Sequence, residues 1–290
     1  MKKNELHKRN KHNDGYDFDK LIAAFPALKE YVKPNKFGNI SVNFFDAQAV
    51  IALNSALLFA NYGITYWQIP PQSLCPPIPG RADYVHYISD LVGPTKKSVK
   101  CLDIGVGASC IYPIIGATQY GWEFVGSDID SDALENAQRI VNNNAVLKNK
   151  VTLKLQKNSG KIFEGIIDPN DSFDITICNP PFHNSQDNAD KAGMRKLQNL
   201  TKSKDTKLDL NFGGKSNELW CRGGELRFIL NMIAESSKYR NNCTWFTSLV
   251  SKDRNLDLLC AELETMKVAQ YKTINMQQGN KVSRILAWRY

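Results

Sequence analysis

Much of what marks other protein classes is absent from this sequence of 290 residues. Its seven cysteines form no C-x-x-C pair and no cluster with the four histidines, which excludes a zinc ribbon and argues against a disulfide framework. No secretory hydrophobic region starts the chain, and no apolar run is long enough to cross a bilayer. We therefore expect a cytoplasmic protein with no metal, no membrane partner and thiols buried in a reducing compartment. The cysteines in or beside apolar runs are Cys101, Cys110, Cys178 and Cys243.

A complete dinucleotide-binding glycine loop is also missing. The predicted strand Val99–Ile104 carries Asp103 and leads into Gly105-x-Gly107, whose glycines allow a sharp turn and the close approach of a ligand. The third glycine of the dinucleotide fingerprint is lacking, so a pyrophosphate cradle is not indicated.

A second acidic strand end follows the glycine turn. The predicted strand at residues 122–128 ends in Asp128, about twenty residues past the glycines, where an acid accepts hydrogen bonds from ribose hydroxyls. Together with the glycine turn, this pattern predicts a nucleoside ligand without a diphosphate. The alternative is that Asp128 only caps the predicted helix Ser131–Asn142.

The segment Asn179-Pro180-Pro181-Phe182 follows a predicted buried strand at residues 173–178. Neither proline can donate to a sheet, and each favours extended backbone before it, so the strand must end there. The Asn179 amide and the Pro180 carbonyl would then stand at the carboxyl edge of the sheet, where open α/β folds bind ligands. Two such acceptors can take both hydrogens of a planar amino group and turn its lone pair out of the ring, while Phe182 stacks on the base. The alternative is an ordinary Asn-Pro turn.

The net charge of +8 and the pI of about 9.0 favour an anionic partner. The basic excess is concentrated in residues 1–12 and 191–215, which are poor in core-forming residues and which we interpret as mobile arms that contact phosphate. The alternative is that each is a solvated lysine-rich surface. The candidate RNA-contacting residues are Lys8, Arg9, Lys11, Lys196, Lys202 and Lys204.

The order of elements predicts a boundary near residue 95. Before it we expect a mostly helical region with helices at Ala47–Tyr62 and Ala82–Val92, and after it an α/β domain, residues 96–290. Arg81 would lie at or just before the start of the second helix, where the helix dipole disfavours a cation. Its position therefore asks for an anion, and a cofactor carboxylate would serve.

Two features are expected in the later part of the chain. Residues 183–218 form a polar stretch far longer than an ordinary loop, which is typical of a functional or disordered segment, and we interpret it as a substrate loop. The predicted strands Ala269–Met276 and Val282–Trp288 would form a closing antiparallel hairpin. The fold class is therefore predicted as α/β, a doubly wound and mostly parallel sheet with an antiparallel C-terminal hairpin.

This order of strands, glycine turn, acid and Asn-Pro-Pro-Phe resembles the class I (Rossmann-like) S-adenosylmethionine-dependent methyltransferases that modify exocyclic amino groups. Over nearly the whole chain the sequence is similar to one family, the bacterial 23S ribosomal RNA adenine-N6 methyltransferases, whose eukaryotic relatives methylate U6 small nuclear RNA and some messenger RNA hairpins. The segments that carry the resemblance are Leu6–Asn10, Pro76–Tyr84, Asp103–Gly107, Asn179–His183, Asn211–Gly214 and Gly223–Glu225.

The resemblance implies S-adenosylmethionine as the cofactor. It places Arg81 at the cofactor's carboxylate, Asp128 at its ribose and the Asn-Pro-Pro-Phe segment at the target adenine. Some members of the family have Glu where this chain has Asp128. The other residues implied in the cofactor site are Asp103, Gly105, Gly107, Ser109 and Asn179.

These observations predict an RNA adenine-N6 methyltransferase that acts on 23S ribosomal RNA, either free or in an assembly intermediate, on a base flipped out of its helix. Other substrates remain open from the residues alone: a U6-like small RNA, a protein glutamine side chain or DNA. A non-catalytic RNA-binding module is a further alternative, but the intact set of Gly105, Gly107, Asp128 and Asn179 argues against it.

Overall fold

A computed structural model of the protein describes residues 6–71, 73–181, 221, 223–278 and 281–290. The main sheet consists of β3 (Lys100–Ile104), β4 (Glu123–Asp128), β5 (Val151–Leu155), β6 (Phe173–Cys178), β7 (Cys243–Val250), β8 (Gln270–Gln278) and β9 (Lys281–Arg289). These seven strands lie in the order β5-β4-β3-β6-β7-β9-β8. A separate antiparallel pair is formed by β1 (Val32–Pro34) and β2 (Ile40–Val42).

The directions of the strands confirm the predicted fold class. Strands β5, β4, β3, β6 and β7 pair in parallel, whereas β9 runs antiparallel to both β7 and β8. The parallel strands therefore place their carboxyl ends on one edge of the sheet. The polar groups that follow β3, β4 and β6 meet at that edge.

Helices precede the sheet and connect its strands. They are α1 (Phe18–Ala24), α2 (Ala47–Tyr62), α3 (Ile78–Val92), α4 (Ile111–Tyr120), α5 (Ser131–Asn142), α6 (Gly224–Ser236) and α7 (Leu256–Thr265). Single 3₁₀ segments are formed by Pro26–Tyr31, Ser237–Tyr239 and Asp253–Asn255.

The bounds of α2 confirm the prediction, because the Asp46 side chain caps its start and Gly63, in a left-handed conformation at φ 64°, ends it. The predicted start of α3 at Ala82 is wrong. The helix begins four residues earlier, at Ile78, because Pro79 lies in the first turn, where its missing N–H has no partner to lose. Arg81 is therefore the fourth residue of the helix.

Each face of the sheet has its own hydrophobic core. On one face, helices α2 to α5 pack on strand residues such as Ile175, so the residues before position 95 share a core with those after it. On the other face, α6 and α7 pack through residues such as Ile229 and Leu259 against Leu102 and Phe246. The predicted buried thiols Cys101, Cys110, Cys178 and Cys243 are buried. Within the described ranges, no helix has the length and apolar character needed to span a membrane.

Candidate active site

The glycine turn after β3 is held by the neighbouring strand β4. The backbone N–H groups of Gly105 and Val106 donate to the carbonyl of Ser127, at 2.9 and 3.0 Å. Gly105 and Gly107 have φ of 75° and 64°, which is a conformation that glycine adopts without strain. A side chain added at Gly105 would meet no atom within 4 Å, so the turn faces open space in which a ligand can approach the backbone.

Asp128, at the end of β4, closes this turn from the other side. One carboxylate oxygen accepts from the Gly107 N–H at 2.9 Å, and the other accepts from the Asp130 N–H at 3.0 Å. The alternative that Asp128 caps the next helix is wrong, because the side chain that caps α5 is that of Asp130. Burial raises the pKa of Asp128, while the two N–H groups act in the opposite direction. Each carboxylate oxygen retains a second lone pair that can accept from a ligand hydroxyl.

Asp103, the fourth residue of β3, is completely buried. Within the part of the chain that the structure describes, neither of its carboxylate oxygens has a hydrogen-bond partner. Burial raises the pKa of Asp103 well above its usual range, the charge of Asp128 raises it further, and the charge of Arg81 lowers it. Because an unpaired buried carboxylate is costly, this position fits a ligand that brings a donor or a positive charge.

Arg81 is half-buried and faces the same edge from helix α3. Its guanidinium donates to the Tyr112 hydroxyl at 2.8 Å and lies 5.6 Å from the centre of that ring. Burial raises the pKa of Tyr112 to about 12, although the charge of Arg81 acts against this shift. No carboxylate of the described residues forms an ion pair with Arg81. The guanidinium is therefore available to an anionic group of a ligand.

The Asn179-Pro180 turn lies beside the glycine turn, because β6 pairs directly with β3 in the register Ile104↔Cys178. The amide oxygen of Asn179 is buried and has no hydrogen-bond partner among the described residues. Pro180 is buried and Pro181 is half-buried, whereas Phe182 lies outside the described residues. The structure thus places Asn179 directly after the strand adjacent to the one that carries Asp103.

Ser109 is 8% exposed and occupies the turn that leads into α4. Its carbonyl accepts from the indole N–H of Trp67 at 2.9 Å, and the preceding carbonyl, that of Ala108, accepts from the Asn136 side chain at 2.7 Å. Sequence reasoning missed both donors. A signal for Asn136 existed: it is a buried amide on a face of α5 that is otherwise occupied by apolar residues.

Two exposed apolar residues flank the acidic strand ends. Ile129 follows β4 and is 43% exposed, and Leu155 ends β5 and is 42% exposed. Leu155 pairs with Asp128 in the sheet, and Ile129 is the residue that directly follows Asp128. They provide an apolar surface beside Asp128 that is suited to the flat base of a nucleoside.

The first of the two predicted basic arms is not mobile where the structure describes it. Residues 6–13, which we call the N-terminal clasp, pack on α3, and His7, Asn10 and His12 are buried. The backbone N–H of His7 and the Asn10 side chain both donate to Asp83, at 2.6 and 3.0 Å. The prediction failed because the lysine-rich composition concealed these three buried polar residues.

The basic residues of the N-terminal clasp differ in how far they are engaged within the chain. The Arg9 guanidinium donates to the His86 carbonyl at 2.9 Å and forms an ion pair with Asp90. The Lys11 ammonium donates to the Asn61 carbonyl at 2.9 Å, and burial lowers its pKa. Lys8 is exposed. The predicted RNA-contacting residues Lys196, Lys202 and Lys204, and the predicted loop 183–218, lie outside the described residues.

Comparisons with known proteins agree with this geometry. A family model described as RNA methyltransferase matches residues 1–290. The chain belongs to this RNA methyltransferase family. It is 56% identical to a protein named ribosomal RNA large subunit methyltransferase F from Bacteroides fragilis, over 99% of both chains. It is 57% identical to the protein of that name from Bacteroides thetaiotaomicron, over 99% of this chain and 98% of that one.

Solved structures of human METTL16 have the same fold. The catalytic domain of hMettl16 in complex with a MAT2A 3'UTR hairpin superposes with a TM-score of 0.83 at 30% identity, covering 98% of this chain and 95% of that one. The N-terminal domain of human METTL16 in complex with SAH superposes with a TM-score of 0.79 at 27% identity, covering 98% of each chain. The protein is therefore a methyltransferase, and S-adenosylmethionine is its methyl donor.

The groups at the carboxyl edge of the sheet, which we call the strand-end site, fit this methyl donor. Counting only the described residues, this site combines a carboxylate without a hydrogen-bond partner at Asp103, a guanidinium without an ion pair at Arg81 and a glycine turn whose backbone a ligand can approach. An amino acid moiety carries one ammonium and one carboxylate, which complement the first two groups. The described residues contain no cluster of three or more histidine, cysteine, aspartate or glutamate side chains suited to a metal ion.

Proposed function

We propose that this protein transfers a methyl group from S-adenosylmethionine to the exocyclic N6 of a specific adenine in 23S ribosomal RNA. The observation that carries the proposal is the buried amide oxygen of Asn179, which has no hydrogen-bond partner among the described residues and lies beside the glycine turn. Together with the Pro180 carbonyl that follows it, this oxygen offers two acceptors, which match the two hydrogens of an amino group, whereas a hydroxyl donates only one hydrogen and a ring carbon donates none. The relatives named ribosomal RNA large subunit methyltransferase F support ribosomal RNA as the substrate.

Three side chains and the glycine turn would hold the cofactor. The Arg81 guanidinium would bind its carboxylate, the Asp103 carboxylate its ammonium, and Asp128 its ribose hydroxyls. Gly105, Gly107 and Ser109 belong to the turn that lets the cofactor approach the backbone. When bound, the cofactor supplies a methyl group on a positively charged sulfur, which is already a strong electrophile.

The chemistry left to the protein is mainly alignment. The amide oxygen of Asn179 and the carbonyl of Pro180 would accept both hydrogens of the adenine amino group and point its lone pair at the methyl carbon. Pro181 stiffens this turn, and we expect Phe182 to stack on the base. No general base is needed before transfer, because the proton leaves the nitrogen after it has become positively charged.

The target adenine must be unpaired or flipped out, because base pairing occupies its amino group. We assign residues 1–95 to RNA binding and cofactor covering and residues 96–290 to the methyltransferase domain, with a substrate loop at 183–218. Of the basic residues proposed to contact RNA, Lys8 is exposed, whereas Arg9 and Lys11 would have to exchange contacts that they make within the chain. Ribosomal RNA as substrate also implies action in the cytoplasm.

The proposal is tested by incubating the full chain with labelled S-adenosylmethionine and 23S ribosomal RNA that lacks adenine N6 methylation. The RNA is then digested and its methylated nucleosides are mapped by mass spectrometry, with Asn179→Ala as the inactive control. We expect one N6-methyladenosine at a single site. Label in a small RNA, in DNA or on a protein glutamine, with none in 23S RNA, would contradict the proposal and identify the substrate class that replaces it.

A further inference from the structure

Tyr84 belongs to helix α3, and its side chain contacts strands β6 and β7. Its side chain is completely buried, and its hydroxyl is 2.8 Å from the Thr247 hydroxyl and 3.4 Å from the backbone nitrogen of Cys178. Cys178 is the last residue of β6 and directly precedes Asn179. The Tyr84 hydroxyl therefore contacts the backbone from which the Asn179 turn emerges.

The donor and the acceptor of each hydrogen bond around the Tyr84 hydroxyl can be assigned. The Thr247 hydroxyl donates to the Thr176 carbonyl at 2.6 Å, so its single hydrogen is used there and it must accept from Tyr84. The Tyr84 hydroxyl in turn accepts from the Cys178 N–H. The phenolic oxygen of Tyr84 thus links the Thr247 side chain on β7 to the backbone at the end of β6.

Threonine side chains join β6 to β7 at this level of the sheet. Direct backbone pairing between β6 and β7 is recorded at Phe173↔Cys243 and Ile175↔Trp245. Beyond these pairs, threonine side chains enter the pairing, since the Thr247 N–H donates to the Thr176 hydroxyl at 2.9 Å.

We propose that Tyr84 is a positioning residue for methyl transfer, whose hydroxyl fixes the end of β6 and with it the Asn179 acceptor. Tyr84 is three residues after Arg81 on α3, and its ring packs edge-on against Tyr112, which holds the Arg81 guanidinium. One helix therefore presents both the cofactor-binding cation and the group that aligns the acceptor. The inference rests on the function proposed above.

Tyr84→Phe removes the hydroxyl and keeps the ring. We expect kcat to fall by at least about tenfold, a modest fraction of the 10²–10³ lost when a group that contacts the reacting atoms is removed. Cofactor Kd should stay within about threefold, because Arg81 and Asp103 are unchanged. Thr247→Val should lower kcat in the same way, and Thr247→Ser, which keeps a hydroxyl, should restore it.

Tyr290→Phe is a matched control. Its hydroxyl also has two partners, the Ser236 hydroxyl at 3.0 Å and the Ile233 carbonyl at 3.3 Å, but it lies on the far side of the sheet, after the end of β9. We expect this variant to lose some thermal stability and to keep its kcat. A kcat within twofold of wild type for Tyr84→Phe, or an equal loss in both variants, would overturn the proposal.

Backbone exchange provides a readout that needs no RNA. Protein labelled with ¹⁵N-cysteine contains seven cysteine amides, one of which is that of Cys178. We expect its hydrogen exchange to accelerate in Tyr84→Phe but not in Tyr290→Phe. If the wild type does not methylate 23S RNA, the proposed function fails, whereas unchanged Cys178 exchange in Tyr84→Phe would refute the positioning role itself.

A second and independent observation concerns the hairpin of β1 and β2. Four large apolar side chains within nine residues are exposed: Phe37 at 76%, Ile40 at 53%, Phe44 at 50% and Phe45 at 43%. Exposed apolar residues that cluster in this way mark an interaction surface rather than a random scatter. We call these four residues the hairpin surface.

The hairpin surface is held in a fixed shape and is accompanied by positive charge. The Phe37 and Phe45 N–H groups donate to the side chains of Asn35 and Asn43, at 2.9 and 3.0 Å, which fixes the backbone beside each ring. The ammonium of Lys36 lies 5.0 Å from the centre of the Phe37 ring. Lys33, in β1, is also exposed.

We infer that the hairpin surface binds single-stranded segments of the substrate RNA, with bases stacked on its phenylalanines and phosphates near its lysines. Fixed aromatic rings interleaved with cations are the combination that holds unpaired nucleic acid. An apolar protein partner would not require the flanking positive charge. This inference also rests on the proposed function, because it takes RNA as the substrate.

Two kinds of variant separate stacking from charge. Combined Phe37→Ala, Phe44→Ala and Phe45→Ala should weaken RNA binding by about fivefold or more for each stacked base, without changing the salt dependence. Combined Lys33→Ala and Lys36→Ala should instead lower the log–log salt slope by about 1.4–1.8, because two phosphate contacts are lost. Leu258→Ala, at a residue of α7 that is 57% exposed, is the control and should bind RNA as the wild type does.

Fluorescence anisotropy with a labelled 23S fragment across a salt series measures these affinities. Wild-type affinity in the phenylalanine variant would overturn the inference. So would a loss seen only with protein-bearing ribosomal particles, because it would assign the surface to a protein partner. If the wild type binds the fragment but methylates no adenine in it, the proposed function fails while the affinity series still decides the role of the hairpin surface.

Discussion

Helix α3 contributes to two buried polar clusters that differ in whether their polar groups have hydrogen-bond partners. In the N-terminal clasp, Asp83 accepts from His7 and Asn10, so its charge is satisfied within the chain. At the strand-end site, both oxygens of Asp103 lack a partner among the described residues, and Arg81 has only a tyrosine hydroxyl. The first cluster has its partners within the chain, and the second has groups without a partner among the described residues, which we propose are completed by a ligand. Buried polar groups that remain unpaired therefore distinguish a binding site from a structural network.

The largest effect is expected from a substitution at the strand-end site, at the residue proposed to hold the substrate amine. Asn179→Ala should lower kcat by about 10²–10³, or about 2.7–4 kcal/mol, by analogy with the loss of one group aimed at developing charge. Cofactor affinity should stay within a few-fold, because Asn179 is proposed to hold the amine. Single-turnover methylation and cofactor calorimetry on the same preparation measure both values. Near-normal turnover would remove Asn179 from the proposed mechanism.

The next largest effect is expected on cofactor affinity, from substitutions at the residues of the strand-end site proposed to bind the cofactor. Arg81→Ala and Asp128→Ala should each weaken S-adenosylmethionine binding by about 1.5–3 kcal/mol, the range for hydrogen bonds to charged groups. Titration calorimetry without RNA measures the change. Arg139→Ala is the matched control, because Arg139 pairs with Glu135 on the exposed face of α5. Wild-type affinity in both test variants would mean that the pocket lies elsewhere.

A substitution in the N-terminal clasp should instead lower stability and leave activity unchanged. Asn10→Ala removes one donor from Asp83 and leaves buried groups unpaired, which should lower the free energy of unfolding by about 1–3 kcal/mol. We expect kcat at saturating RNA to stay unchanged, because the hydrogen-bond partners of Asn10 among the described residues lie in the clasp and α3. Urea unfolding and steady-state kinetics test the two halves of this prediction. A fall in kcat with no loss of stability would contradict the division between the clusters.

The smallest effect is a pH dependence of stability. Because burial raises the pKa of Asp103 above its value in the unfolded chain, folding takes up a proton, and the wild type loses stability as the pH rises from about 4 towards the raised pKa. The asparagine of the Asp103→Asn variant cannot titrate. Without cofactor, the Tm of this variant minus the Tm of the wild type should therefore increase with pH over this range. Each kcal/mol corresponds to about 2–4 °C at this chain size. Scanning calorimetry from pH 4.5 to 8 measures the difference, and a constant difference would contradict it.

The parts of the molecule that could be predicted from sequence are those with strong local signals. The α2 helix has a cap and a terminal glycine, and the glycine turn, Asp128 and Asn179 each end a β-rich run, so their shared edge follows from parallel pairing. Whether the side chains at that edge bind ligands in the assigned way remains a prediction.

Contacts between distant parts of the chain could not be predicted. The buried bonds of the N-terminal clasp, and the Trp67 and Tyr84 contacts to the strand ends, join residues more than forty positions apart. No local periodicity reports such contacts. The β1–β2 hairpin was missed for a different reason: its three-residue strands are too short to show alternation.

The hydrogen bond from the Gly107 N–H to Asp128 has a kinetic consequence. Because this bond forms within the chain, the turn that we propose receives the nucleoside is already shaped when a ligand arrives. A ligand entering a preformed turn does not wait for a loop to fold, so its observed association rate should rise linearly with concentration and show no plateau. Differences in affinity among cofactor analogues should then appear in how long each one stays bound.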